Sequence, residues 1–215
     1  TEKEHVMNND KLVLGVGLAQ ELEHAFNRNG FTSLDEIKEL TKGDFLGRVR
    51  DVQRGILEIK PIEHIIDLGI PAVIPQGYNW TVEEHRIGPP DVKLERKADG
   101  LYIDGKKIGF WLSEEQRRKQ AVVGNILRAK LKEMPVLNDN VLNYLLKNPL
   151  LIPEDWKKDE NGNTRYIFFW GTIFRGAGGG LCVRCLCWHG GEWVWFDDWL
   201  GYDWSSSNPA AVSAR

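Results

Sequence analysis

An α+β domain preceded by a mostly helical extension is what the sequence predicts, on three observations. Apolar residues recur at helical spacing between Leu18 and Ile59. From Leu101 onward the order reads hairpin, helix, helix, then several strands up to the C-terminus, which is not the alternation of βαβ units. The stretch Arg165–Arg215 holds Trp170, Trp188, Trp193, Trp195, Trp199 and Trp204 and all three cysteines, Cys182, Cys185 and Cys187, interleaved with small or polar residues.

Leu12–Gly17 reads as a very short strand and turn, followed by a helix over Leu18–Asn29 that Gly30 ends. Ser33 and Glu36 form a capping box for a helix over Leu34–Leu40. Asp44–Ile59 is a second amphipathic stretch, with Phe45, Val49, Val52, Ile56 and Ile59 on one stripe and Arg48, Arg50, Asp51 and Arg54 largely opposite. Lys60–Pro90 is punctuated by Pro61, Pro71, Pro75, Pro89 and Pro90 and reads as a connection. The expected division is therefore 1–90 for the helical and irregular region and 91–215 for the main domain.

Within the main domain, Asp104-Gly105 between two apolar runs marks a hairpin over Leu101–Trp111. Ser113 and Gln116 cap a helix expected to reach Glu133, with Val122, Val123, Ile126, Leu127 and Leu131 buried. Asn138 caps a shorter helix over Asp139–Lys147, with Val141, Leu142, Leu145 and Leu146 facing inward. Arg165–Phe174 reads as a central strand because it lacks alternation. Leu181–Trp188, Glu192–Trp199 and a short terminal strand Ala210–Ala214 complete the set. The terminal strand needs a partner, and the early hairpin is the available one.

At 215 residues the chain fits one medium domain, or one domain and an appendage, with enough apolar material for a core that needs no staple. A net charge of -3 argues against nucleic acid as the main partner. The short clusters Arg48, Arg50, Arg54 and Arg117, Arg118, Lys119 are flanked by acids. No apolar run is long enough for a membrane span, and the polar start Thr1–His5 shows no signal peptide, so a cytoplasmic or particle-associated protein is expected. No disulfide framework is expected from a clustered, odd set of thiols.

The chemical alternatives are weak. Gly15-Val16-Gly17 lacks the third glycine and the acid of a dinucleotide loop. Cys182, Cys185, Cys187 and His189 have zinc-ligand chemistry, but an extended strand places Cys182 on the opposite face from the other three. Reactive use of Cys185 or Cys187 has no visible source of a lowered pKa. His5, His24, His64, His85 and His189 are scattered, and Glu83-Glu84 and Glu114-Glu115 read as solvated charges. No enzyme, cofactor or metal is expected; the alternative is a zinc-binding or formylglycine-generating-like protein built on the three thiols.

The segments Ile152-Pro153-Glu154-Asp155-Trp156, Phe168-Phe169-Trp170-Gly171-Thr172 and Asn208-Pro209-Ala210-Ala211-Val212, framing the tryptophan-rich block, resemble the variable proteins of diversity-generating retroelements. The resemblance covers Val136–Arg215 and is weak before it. It implies a C-type lectin-like fold with a hypervariable segment over about 176–207, and a receptor-type function toward a macromolecular ligand, expected to be a protein. Self-association through the N-terminal region is a further expectation.

In that family, reverse transcription randomises adenines, chiefly in Asn codons. Changing the first two bases of such a codon never yields Trp, Met, Lys, Glu or Gln. The implied variable positions contain none of these: Gly176, Ala177, Gly178, Gly180, Cys182, Cys185, Cys187, His189, Val194, Phe196, Asp197, Asp198, Gly201, Tyr202, Asp203, Ser205, Ser206 and Ser207. A Tyr-x-x-Tyr-x-Tyr template would give the three cysteines. On this reading Trp170, Trp188, Trp193, Trp195, Trp199 and Trp204 are a buried scaffold, each hiding roughly 200 Å². The intervening side chains then face the ligand.

Overall fold

The computed structural model describes residues 16–28, 30, 33–40, 42–58 and 62–214. The chain divides into two compact units, Thr1–Pro61 and Ile62–Arg215. The boundary thus lies well before the expected one at Pro90. Two short strands between Ile62 and Pro90 hydrogen-bond into the main sheet, so that stretch belongs to the second unit.

The first unit contains α1 (Val16–Arg28), α2 (Leu34–Glu39) and α3 (Phe45–Gln53). Leu12–Gly15 and Ile59 lie outside the described residues, and Val16 and Gly17 are already helical. The Ser33–Glu36 capping box is present in both directions. α3 is shorter than its apolar stripe because Gly55, at φ +71°, turns the chain out of the helix. Among the described residues of this unit no side chain is buried.

The second unit is α+β. Its first strands are β1 (His64–Ile66), β2 (Thr81–His85), β3 (Val92–Lys97), β4 (Gly100–Ile103) and β5 (Lys106–Trp111). Then follow α4 (Glu114–Arg117), β6 (Val122–Val123), α5 (Gly124–Lys130) and α6 (Asp139–Lys147), and 3-10 turns at Pro149–Leu151 and Glu154–Trp156. The last elements are β7 (Ile167–Phe168), β8 (Thr172–Arg175), β9 (Leu181–His189), β10 (Glu192–Trp199), β11 (Asp203–Trp204) and β12 (Ala210–Ser213). The ten-stranded sheet runs β1-β3-β4-β5-β12-β7-β9-β8-β2, with β10 added on β9; β11 and β6 form a separate pair. All pairings are antiparallel except β12 with β7.

The local signals that predict β4–β5 hold. Asp104 and Gly105 take φ values of 47° and 73°, as a tight turn of this hand requires. The terminal strand β12 pairs with β5 over Ala210–Ser213, so the hairpin does receive the chain end.

Two expectations are corrected. The helix from Ser113 does not reach Glu133. Lys119 adopts φ 61°, Val122–Val123 pair with Asp203–Trp204, and helix resumes only at Gly124. Leu127 and Leu131 are buried as expected, but Ile126 is exposed. The strand Arg165–Phe174 is likewise broken, because at Gly171 the chain passes against α6. Gly171 N–H donates to Leu137 O (2.9 Å), and a Cβ there would lie 2.8 Å from Asn138 Cα.

The core lies on both faces of β9. Leu186 packs with Leu94, Leu101, Val141, Leu145 and Ile167 on one side. Val183 and Cys185 pack with Leu127, Phe168, Ile173, Leu200 and Trp204 on the other. A strand covered on both faces reads as a continuous apolar run, as Leu181–Trp188 does, but for one buried arginine. That residue, Arg184, donates from Nη1 to both carboxylate oxygens of Asp139 at the start of α6 (2.8 and 2.7 Å).

Candidate ligand-binding surface

The expected variable segment is built on the β9–β10 hairpin. Gly190 and Gly191, at φ 61° and 89°, close it in the left-handed region that glycine adopts without strain. The register runs from Glu192 opposite His189 to Trp199 opposite Cys182. Facing residues share a side of the sheet. One side therefore carries Trp199 with Cys182, Asp197 with Arg184, Trp195 with Leu186 and Trp193 with Trp188. The other carries Asp198 with Val183, Phe196 with Cys185 and Val194 with Cys187.

The expected positions divide sharply by strand. Cys182, Cys185 and Cys187 are all buried, and so is Gly176. This corrects the expectation of an outward-facing set. β9 has β10 on one edge, β7 and β8 on the other, and packing on both faces, so none of its central side chains reaches solvent. β10 pairs with β9 alone, and its residues are half-buried or exposed. Phe196 is 46% exposed and meets His189 edge-on at 5.9 Å. Val194, Asp197 and Asp198 are half-buried.

Two loops flank one end of the hairpin. In the first, Ala177 and Gly178 are exposed, while Gly176 and Gly180 lie beneath the Trp199 ring, where an added Cβ would come within 2.6 Å of it. In the second, Gly201, Tyr202 and Asp203 are exposed. Tyr202 N–H donates to Trp199 O (3.0 Å), which holds this loop against the hairpin.

The serines that follow are not free of the framework. Ser205 is exposed, Ser206 and Ser207 half-buried. Ser205 Oγ donates to Asn208 Oδ1 (2.8 Å), and Ser207 Oγ to Asp159 Oδ2 (2.9 Å). Gln116, buried, completes its capping box with Ser113 and donates from Nε2 to Ser205 O (2.8 Å). The Gln116 and Asp159 anchors are invisible in sequence, because each spans a long separation along the chain.

The tryptophans play two roles, not one. Trp170 and Trp204 are buried, 4.8 Å apart by ring centroids, and Trp204 Nε1 donates to Trp199 O (3.3 Å). Trp193, Trp195 and Trp199 are only half-buried, because β10 is an edge strand, and Trp188, near the hairpin end of β9, is half-buried too. Trp193 packs edge-on to Trp188 at 5.4 Å, and Lys157 Nζ lies 3.5 Å from the Trp188 ring. Tyr78 and Trp80, from the segment before β2, contact Trp195 at 5.4 and 6.4 Å.

The three thiols are enclosed and held in the protonated form. Burial pushes Cys182 up to about 12 and Cys187 up to about 11, and raises Cys185 well above the ordinary thiol range. Protonated, enclosed thiols are poor nucleophiles and poor metal ligands. Among the described residues no group of His, Cys, Asp or Glu side chains is placed to hold a metal ion. Burial also raises Asp197, with Asp198 adding to it, and raises Asp198. No described helix is long and apolar enough to cross a membrane.

Neither a protein-family model, a curated protein nor a solved structure matches this chain.

Proposed function

We propose that the chain is a non-enzymatic ligand-binding protein of the retroelement-diversified kind, with a C-type lectin-like second unit that displays a variable surface. The surface comprises the outer edge of β10, the loop over 177–178 and the loop over 201–203. The three cysteines and Gly176 belong to its buried support. The ligand is a macromolecule, proposed to be a protein.

One observation carries this reading. At Gly178 and Gly201 an added Cβ would meet nothing within 4 Å, and neither has a positive φ. A Cβ fits there without a clash, so small side chains should be taken at little cost, typically within about 0.5 kcal/mol. Gly201 adjoins Tyr202 in the chain, and Tyr202 and Phe196 are exposed, rigid aromatic rings of the type that gives contact area at low entropic cost. The closing of β12 onto β5, which returns the last strand to the hairpin, supports the lectin-like arrangement.

Gene context tests the proposal. A nearby near-copy of the terminal coding segment, differing only at adenines, beside a reverse transcriptase gene, is the expected finding; differences spread over other bases reject it. A protein test is independent. A library randomised at Ala177, Gly178, Phe196, Gly201 and Tyr202 should fold in most members, and loss of folding in most members counts against a display surface.

A further inference from the structure

A cavity of about 620 Å³ lies between α6, the segment over 65–76 and the β9–β10 hairpin. Its apolar walls are Ile65, Ile70 and Val73 on one side and Leu146 and Trp195 on the other. Ile65, Ile70 and Val73 are each substantially exposed, at 41%, 47% and 60%. The walls are built, not loose. Asn140 Nδ2 donates to Ile70 O (2.9 Å), and His85 Nε2 contacts the same carbonyl at 3.0 Å. That carbonyl only accepts, so His85 Nε2 carries the proton. Asn138 Nδ2 donates to Leu68 O (3.2 Å) and Arg86 O (3.0 Å).

The polar lining includes Arg184, Asn143 and Lys147. Arg184 is 3% exposed and stacks on Trp195, with its guanidinium carbon 4.1 Å from the ring centroid. Its Nη1 is fully engaged, by Asp139 and by Asn143 Oδ1 (3.0 Å). Its Nε is buried and has no hydrogen-bond partner among the described residues. A buried donor left unmade is costly, and it leaves the guanidinium with hydrogen-bonding capacity that its protein partners do not fill. Lys147, on the same lining, is exposed and makes no ion pair among the described residues. Two of the acids nearby have other engagements. Asp67 accepts from Gly69 N–H (2.7 Å) and Asp139 is paired, while Asp197 stands opposite Arg184 in the β9–β10 register with its carboxyl raised by burial.

We infer that this cavity is a small-molecule site for a monocarboxylate on an apolar body, its carboxylate directed to Arg184 and Lys147 and its body held against Trp195 and Ile70. The unfilled capacity is on cations, the walls are apolar, and a guanidinium edge matches a carboxylate. None of the residues that define the site is among the positions expected to vary, so it stands apart from the display surface and its failure leaves that reading intact.

The test uses the ¹⁵N-labelled full chain with 3-phenylpropionate and its neutral counterpart, 3-phenylpropionamide. The acid is expected to bind and to move the Arg184 Nε–H resonance, and the amide to bind about tenfold more weakly or less. Ile70→Trp fills the cavity from an exposed side chain, keeps the carbonyl that anchors the wall, and is expected to abolish binding. Equal affinity for acid and amide, an unmoved Arg184 resonance, unchanged binding by Ile70→Trp, or no binding of the acid up to about 10 mM each overturns the assignment.

Discussion

Arg184 and Asp139 form an ion pair in the middle of the second unit, with Nη1 2.7 Å from one carboxylate oxygen and both side chains almost wholly buried. It joins the central strand β9 to the first turn of α6. Burial pushes the Asp139 carboxyl up and the Arg184 guanidinium down, each against the attraction of the other. Such a pair adds little over an apolar replacement, but removing one member strands the other. Asp139→Asn or Arg184→Met alone is expected to cost about 3–5 kcal/mol in urea unfolding, and Asp139→Leu with Arg184→Met to recover most of that loss. Single variants as stable as the parent would show that the pair is not a connection between the two elements.

The glycines of the 176–180 loop are expected to behave unequally, although they lie within a few residues of one another. Gly176 and Gly180 support the Trp199 ring, and a methyl at either would collide with it at 2.6 Å. Gly176→Ala or Gly180→Ala should cost about 1–3 kcal/mol, the usual penalty for overpacking. Gly178→Ala should change stability by less than about 0.5 kcal/mol. Thermal unfolding of the three variants decides, and equal effects would remove the distinction between support and display in this loop.

Much of this was legible where the signal is local. The Asp104-Gly105 turn, both capping boxes, α6 with its Asn138 cap, and the β9 and β10 spans follow from short-range chemistry. The remainder depends on distant partners. β1 and β2 are short strands in a proline-rich stretch, fixed only by β3 and β8. Val122–Val123 read as helix because their partner, Asp203–Trp204, lies far along the chain. The outward placing of the cysteines failed because alternation assumes one open face, and β9 has none. The tryptophans of β10 were expected to be buried, but strand order, which no local pattern encodes, places them at an edge.

Gln116 is expected to act at a distance from its own helix. It ties α4 to the carbonyl of Ser205 while closing its capping box, so its loss leaves that carbonyl and the Ser113 N–H unmade. Gln116→Leu should cost about 1–3 kcal/mol. It should also raise amide exchange across Ser205–Asn208 while leaving β9 and β10 protected. Unchanged exchange in that loop would show that its own Ser205–Asn208 bonds suffice.

The thiols give a direct chemical check. With Cys182 and Cys187 raised to about 12 and about 11, and Cys185 raised too, the thiolate fraction at pH 8 is very small, and all three side chains are enclosed. A disulfide reagent should therefore react with none of them in the native protein over minutes, and with all three after unfolding. Rapid reaction of one thiol in the native state would place it at the surface and restore it as a candidate ligand contact.

Asp197 and Asp198 set the sign of a pH effect. Burial raises both carboxyls, so over the range between their unfolded and folded values the native state holds more protons than the unfolded chain. Stability from these groups is then fully present below the ordinary carboxylate range and is lost as pH rises through their raised values. Other groups act oppositely: Glu115, held at about 2 chiefly by Lys130, contributes stability that is present above its unfolded value and lost in acid. The comparison therefore has to be made against a variant. Asp197→Asn with Asp198→Asn should unfold at higher urea than the parent at pH 7, with the difference shrinking towards pH 4. A difference that grows on acidification would mean that the two carboxylates are favoured in the fold as anions, and that the β10 edge is better solvated than its packing against Trp199 and Cys182 implies.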